Sequence, residues 1–285
     1  MRRGWKCLLG LAILLLLGTT PARATPFFFS TGDPDGKMGM ATRPGNTSPF
    51  EIEAADDFVL GQQTKLTTAT FTGLLTGNAT TSDISSVDVE IYRVFPKDSD
   101  VGRTPQVPTR VNSPSDVAFA SRDSGGGTLS FSVTTLSSFT AANSVQPGGI
   151  HPKPNQTTGG NGLVTGTEVQ FDVTFTSVLD LAADHYFFVP QVELATGDFL
   201  WLSAPKPIVP PGTPFTPDLQ AWTRDAALDP DWLRVGTDIV GGTPPPTFNA
   251  AFSLSGEASV PEPGTALLLG SGLVGLAGLT WRRNR

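Results

Sequence analysis

Val169-Gln-Phe-Asp-Val-Thr-Phe-Thr176 sets an apolar side chain at every odd position and a polar one at every even position. Only a two-residue repeat separates the types this way, so the stretch predicts a strand with one buried and one wet face. Ser86-Val-Asp-Val-Glu-Ile91 repeats the pattern and loses it at Arg93-Val94-Phe95, which predicts a bulge there. Pro49–Leu60, Lys65–Leu75, Leu129–Leu136, Tyr186–Leu194, Asp198–Leu202 and Ala251–Gly256 also read as strands. Roughly eight such strands joined by Gly, Pro and Asn predict an all-β fold, an antiparallel β-sandwich of jelly-roll type.

Long Pro/Gly-rich loops separate the strands: 96–127, 140–166 and 203–247. The last carries Pro205, Pro207, Pro210, Pro211, Pro214 and Pro217, so it should be extended and semi-rigid. Its second half, 218–238, is dense in Trp and Leu. That predicts packing back onto the sandwich, with a helical turn around Asp225–Leu228.

The two ends of the chain differ from the rest. Arg2, Arg3 and Lys6 precede an apolar run from Cys7 to Leu17, and Ala22-Arg23-Ala24 has the A-x-A form of a cleavage site. This is the pattern of a secretory signal peptide over 1–24, with the mature chain beginning near Thr25. At the other end, Gly270-Ser-Gly272-Leu-Val-Gly275 reads G-x-G-x-x-G. A dinucleotide loop needs a strand before it and an acidic residue about 20 positions after it. Here Pro-Glu-Pro-Gly precedes the glycines and no acidic residue follows. Residues 264–281 instead form an uncharged Leu/Gly/Ala/Val run, near the roughly 17–25 residues that one membrane helix needs. Trp281 is placed as an interfacial anchor, and Arg282, Arg283 and Arg285 assign that end to the cytoplasmic side.

Val260-Pro261-Glu262-Pro263, the apolar span and the terminal arginines, in that order, resemble the PEP-CTERM sorting signal of exopolysaccharide-producing bacteria. The resemblance covers only about the last 26 residues, and with the N-terminal pattern it divides the chain into a signal peptide (1–24), an exported body (25–257) and a sorting tail (258–285). It implies passage through the secretion machinery, cleavage by signal peptidase and a transient single-pass stage in the inner membrane. A membrane-embedded exosortase would then cut near Pro-Glu-Pro and release the body to the cell surface or biofilm matrix.

With both ends removed, the charge becomes one-sided. Four of the 19 basic residues precede Thr25 and three follow Trp281, leaving 12; of 26 acidic residues only Glu262 lies outside positions 25–260, leaving 25. The body is therefore near −13, a surface that repels nucleic acid. Cys7 is the sole cysteine and leaves with the signal. Disulfides, thiol nucleophiles and thiolate metal sites are thereby excluded from the body.

No G-x-S-x-G elbow and no H-E-x-x-H occurs, and the body has two histidines, His151 and His185. The paired carboxylates Glu51/Glu53 and Asp56/Asp57 are the residues a glycan-acting hydrolase would use. Glu51 and Glu53 flank a strand of alternating type, where acidic residues face water, and Ala54-Ala-Asp-Asp-Phe58-Val-Leu60 resembles the opening strand of other exported bacterial sandwiches, which makes Asp56 and Asp57 structural. Asp33-Pro-Asp35-Gly36 and Asp229-Pro-Asp231 space two carboxylates for one hard cation, so a structural Ca²⁺ is the one cofactor considered; Lys97-Asp98-Ser-Asp100 repeats the spacing. Trp222 and Trp232 lie in the proline-rich region, where exposed rings would stack on sugar, while Trp201 in Phe-Leu-Trp-Leu reads as core. The resulting expectation is a non-enzymatic, structural or adhesive body that contacts exopolysaccharide. A secreted hydrolase is the alternative.

Overall fold

The alternation at 169–176 sits inside an 18-residue strand, Val164–Leu181, where Val169, Phe171, Val173 and Phe175 are buried and Gln170, Asp172, Thr174 and Thr176 are not. The computed structural model describes residues 24–45, 50–99, 110–151, 157–226 and 232–259. Of these, Pro26–Glu257 forms one compact unit. The expected membrane span, the sorting residues from Val260 to Arg285 and Ala22 lie outside the described residues. Among the described residues, no helix is long and apolar enough to cross a membrane.

In chain order the first strands are β1 (Thr25–Ser30), β2 (Met38–Ala41), β3 (Ile52–Leu60), β4 (Thr64–Leu75), β5 (Ile84–Arg93), β6 (Ala120–Asp123), β7 (Ser130–Ala141) and β8 (Asn143–Val145). They are followed by β9 (Val164–Leu181), β10 (Asp184–Leu194), β11 (Phe199–Ala204), β12 (Trp222–Asp225), β13 (Leu233–Arg234), β14 (Asn249–Ala250) and β15 (Phe252–Ala258). A nine-stranded sheet runs β1-β15-β4-β11-β2-β8, with β9 on the other edge of β4, β7 beyond β9, and β14 beside β11. A six-stranded sheet runs β13-β12-β3-β10-β5-β6. The all-β, two-sheet expectation holds. The strand number and the unequal sheets depart from an eight-stranded jelly roll, and β2 and β8 pair in parallel.

Aromatic rings fill the space between the sheets. Phe188 of β10 stacks on Phe252 of β15 at 5.0 Å and meets Trp201 edge-on at 6.0 Å. Phe71 of β4 stacks on Phe171 of β9 at 4.7 Å, and Phe199 meets both edge-on. Trp201 is core, as expected, and its Nε1–H donates to the Ala251 carbonyl at 2.9 Å. Such pairs add about 0.5–1.5 kcal/mol each beyond the apolar area they bury.

One local expectation fails for an identifiable reason. β5 simply ends at Arg93 where a bulge was expected. Pro96, which has no N–H, cannot extend the ladder, and Val94 makes only an isolated bridge to Pro114. The bulge-like irregularities fall instead at Leu66/Thr68, Thr135/Ser138 and Glu193/Leu194. β12 runs through Asp225 opposite Ile52, and a helical turn begins at Ala226, within the stretch where one was expected; residues 227–231 lie outside the described set. A further helical piece is a short π-type turn at Val235–Val240, fixed by the Asp238 carboxylate accepting from the Arg234 backbone N–H at 2.8 Å.

The loops at 96–127 and 203–247 are not free. They pack Leu219, Trp222, Trp232, Val94 and Ala118 against Ala55, Tyr92, Phe187 and Val189 on the outer face of the six-stranded sheet. That sheet is thus covered on both faces, and β3 is almost wholly buried along its length.

The Phe71–Phe171–Phe199 cluster depends on a position without a side chain. A Cβ on Gly73 would enter the Phe199 ring and crowd the Leu200 carbonyl, and both belong to the strand paired with β4 at that point. Gly73→Ala should therefore destabilise the body by at least about 2 kcal/mol through overpacking. Urea denaturation would show it as a lower midpoint at unchanged slope.

Candidate functional site

Strand alternation sends Glu53, Ala55 and Asp57 to one face of β3, and Ile52, Ala54, Phe58 and Leu60 to the other, where they join the inter-sheet core. Glu53, Asp56 and Asp57 are 0–1 % exposed. The expectation that Glu53 faces water is therefore incorrect. The loops over the six-stranded sheet bury the outer ones, and Asp56 points into the sandwich itself.

The buried acids fall into two groups. In the first, carboxylate oxygens of Glu51, Glu53 and Glu90 all lie within 4.8 Å of one another. Tyr92 Oη sits 2.6 Å from Glu53 Oε1 and 2.7 Å from Glu90 Oε2. Arg224, paired in register with Glu53 across β12 and β3, donates its Nε–H to Glu53 Oε2. Its Nη2 donates to Tyr92 Oη at 2.9 Å and its Nη1 to the Asp116 carbonyl at 3.1 Å. The guanidinium lies over the Trp232 ring, 4.7 Å from its centre. Gln191 Nε2 donates to Glu51 Oε1 at 2.8 Å.

Proton occupancy follows from this geometry. Burial, and next the neighbouring Glu53 charge, push Glu90 up to about 8. Glu51 is raised by the same two causes in the same order. Burial and Glu53 raise the Tyr92 phenol well above its ordinary value. Burial opposes the Arg224 charge, but Glu53 outweighs it and the net shift is upward. At neutral pH a protonated Glu90 donates to Tyr92 Oη, and Tyr92 donates to Glu53, which is held by Arg224.

In the second group, His185 Nε2 lies 2.6 Å from Asp57 Oδ2, which also accepts the Leu219 N–H at 3.1 Å. Asp56 Oδ2 accepts the Ala250 N–H at 2.8 Å. Lys206 Nζ bonds Asp218 and, at 2.8 Å, Asn249 Oδ1, closing the network around the proline-rich segment. Burial raises Asp56 well above its ordinary range, reinforced by Asp57. Burial raises Asp57 as well, while the bond from His185 works against it. Among the described residues no serine or threonine hydroxyl bonds the His185 ring, so the Asp57–His185 pair has no partnered nucleophile. No hydrogen bond among those residues links His151 to either group.

The expected sugar platform is corrected. Trp222 and Trp232 are 2 % and 1 % exposed, because they are the apolar part of the layer sealing the outer sheet face. Trp232 donates its Nε1–H to the Ser115 carbonyl at 3.0 Å and meets Tyr92 edge-on at 5.4 Å. Neither offers a free ring face. Asp35 is occupied in its own turn, where it accepts the Lys37 backbone N–H at 3.0 Å and bonds Ser203; no hydrogen bond joins Asp33 to it. Asp98 pairs with Arg93. Asp100, Asp229 and Asp231 lie outside the described residues, and Ala24 is exposed.

Glu90, Tyr92, Gln191 and Arg224 were missed. Alternation in Val87-Asp-Val-Glu90-Ile-Tyr92 does place Glu90 and Tyr92 on one face, and Trp222-Thr-Arg224 does so for its own pair. The missing information was that these faces meet under a cover.

Residues 259–284 match the family model of the PEP-CTERM protein-sorting motif. The chain is thus a PEP-CTERM protein by its tail, and the motif implies processing by an exosortase and export toward the cell surface. The match does not extend into the sandwich. No curated protein matches the chain.

Because Glu90 is raised from about 4.5 to about 8, the folded body keeps a proton that the unfolded chain releases across that range. The associated stability is complete below the lower value and is lost as pH rises through the upper one. Wild type should lose on the order of 2 kcal/mol more than Glu90→Gln between pH 5 and pH 9. Thermal melts of the two proteins across that range would check it, with Glu90→Gln the more stable at pH 9.

Proposed function

We propose that the body is a non-enzymatic surface or matrix component, delivered by the tail and used for its outer surface, where it contacts exopolysaccharide. The observation that carries delivery is the motif over residues 259–284. The non-enzymatic reading is supported by the occupation of both acidic groups. Arg224 and Tyr92 fill the space between Glu53 and Glu90, and Asp57 and His185 anchor the proline-rich segment.

An adhesive role finds support on the other sheet. The outer face of β4, β9 and β7 is rich in hydroxyls, with Thr68, Thr174 and Ser130 in one row across the strands and Thr70, Asp172 and Ser132 in the next. In the third row, Gln170 and Thr134 are accessible and Thr72 is buried. Strand spacing near 4.8 Å makes this a flat hydrogen-bonding lattice suited to an extended chain of hydroxyls.

A hydrolase remains the second reading, because Glu51 and Glu90 are raised carboxyls on one half-buried face, as general acids are. Their oxygens lie within 4.8 Å, somewhat closer than the roughly 5–5.5 Å of a retaining pair.

Two outcomes are expected. Replacing Glu262 with Gln, or deleting Arg282–Arg285, should hold the full-length protein in the membrane fraction of its host; release at the wild-type level would refute exosortase sorting. Binding of the released protein to the host's exopolysaccharide should weaken at least about fivefold in a Thr70→Val/Thr174→Val double variant. It should be unchanged in Glu51→Gln/Glu90→Gln, whereas glycan cleavage abolished by that second variant would favour the hydrolase.

A further inference from the structure

Strand β7 pairs with β9 on one side only. Among the described residues, no backbone group from Ser130 to Ser138 bonds anything except β9. An edge of this kind presents a row of free N–H and C=O groups, which soluble proteins usually guard with charge, proline or a short strand. Here the edge strand has 12 residues, and neither a charged residue nor a proline occurs from Ser124 to Gln146. This uncharged edge sits in a body whose formal charge is near −13.

Its chemistry is self-complementary. Phe131 and Val133 pack only partly against the inter-sheet core, because no further strand lies beyond them. Ser130, Ser132 and Thr134 point to the opposite, solvent-exposed side. The register irregularity at Thr135/Ser138 ends the regular segment. Past it the chain is engaged by its own N-terminal region, with Ala142 N–H bonded to the Gly36 carbonyl at 2.8 Å and Asn143 N–H to the Lys37 carbonyl at 3.0 Å. The open edge is thus Ser130–Thr135.

We infer that Ser130–Thr135 is a pairing edge for a second copy of this chain, joined antiparallel about a twofold axis through Ser132. A register with Ser132 opposite Ser132 of the other copy keeps like faces together. It sets Phe131 against Val133 on the core side and Ser130 against Thr134 on the wet side. Elsewhere two copies bring acidic surfaces together, while along this edge they do not. The joined sheets complete the burial of Phe131 and Val133, and main-chain hydrogen bonds supply the attraction, as in strand addition generally. This goes beyond the sorting and adhesion reading, since neither requires a second copy.

The test uses the full-length chain expressed in its host, with the released form purified, or the detergent-extracted form if sorting fails. Sedimentation equilibrium should show a concentration-dependent dimer, weakened at least about tenfold in Ser132→Lys, where two ammonium groups would face each other. Since Ser132 is exposed, that variant should melt as wild type does. In the released protein, free of native cysteine, Ser132→Cys should oxidise to a disulfide-linked dimer, and the control Thr174→Cys on the neighbouring strand should not. A wild-type protein monomeric at millimolar concentration would overturn the inference. So would a dimer that survives Ser132→Lys, or equal cross-linking by the two cysteines.

Discussion

Arg224 opposite Glu53 is the contact on which the second half of the molecule depends. Both side chains are largely withdrawn from water, with relative exposures of 13 % and 0 %. An isolated charge at either position would cost several kcal/mol, and removing one partner of a buried pair typically costs about 3–5 kcal/mol. The pair persists because all three nitrogens of the guanidinium are hydrogen-bonded. Nε meets Glu53, Nη2 meets Tyr92, Nη1 meets the Asp116 carbonyl, and one face rests on Trp232. Each partner comes from a different part of the chain, so one side chain ties β12 and the loop before β6 to the sheet centre.

That tie explains the difference between the two sheets. The centre of the six-stranded sheet, along β3, is covered on both faces, so its charged residues must be paired or neutral, and Glu90, Asp56 and Asp57 are all raised by burial. The nine-stranded sheet keeps a wet face on β4, β9 and β7, where Thr70 and Gln170 bond Asp172 without being buried. The same residue types therefore carry different chemistry in the two sheets. Acids in the covered sheet are paired or raised by burial; Thr70 and Gln170 on the open sheet are only half-buried.

This asymmetry also sets how much could be read from sequence. The wet-faced strands announced themselves: Val169–Thr176 alternates in sequence and in structure, and Lys65–Leu75 is within one residue of β4. β3 is legible as a strand within Pro49–Leu60 but its cover is not, because a strand covered on both faces has no wet side to alternate with, and Glu53 reads as facing water although it is buried. Short strands such as β8, β13 and β14, of two or three residues, carry no period at all. They exist because long-range partners hold them. In the acidic groups the members of β3 were visible as a local pattern, whereas Glu90, Gln191, Arg224 and His185 belong to the same groups only through sheet pairing. The tail lies at the opposite extreme. Its signal is local and ordered along the chain, so a linear reading recovers it without any fold.

The absence of cysteine from the exported body shifts the burden of stability onto noncovalent contacts. Extracellular domains that lack a sufficient core are commonly stapled, and a disulfide typically contributes about 2–4 kcal/mol by restricting the unfolded chain. Here the two long excursions, 96–127 and 203–247, are the segments such staples would restrain. They are held instead by Trp232 on Tyr92, Arg224 on Glu53, Leu219 on Asp57, and Lys206 on Asp218 and Asn249. These contacts are cooperative. Loss of the tryptophan wets the ion pair, and loss of the ion pair leaves a carboxylate in an apolar layer. A disulfide acts whether or not its surroundings are packed, but this layer holds only when complete. The carboxyl groups beneath it are therefore neutral or paired for the sake of the cover, and their proximity alone is a poor guide to catalysis.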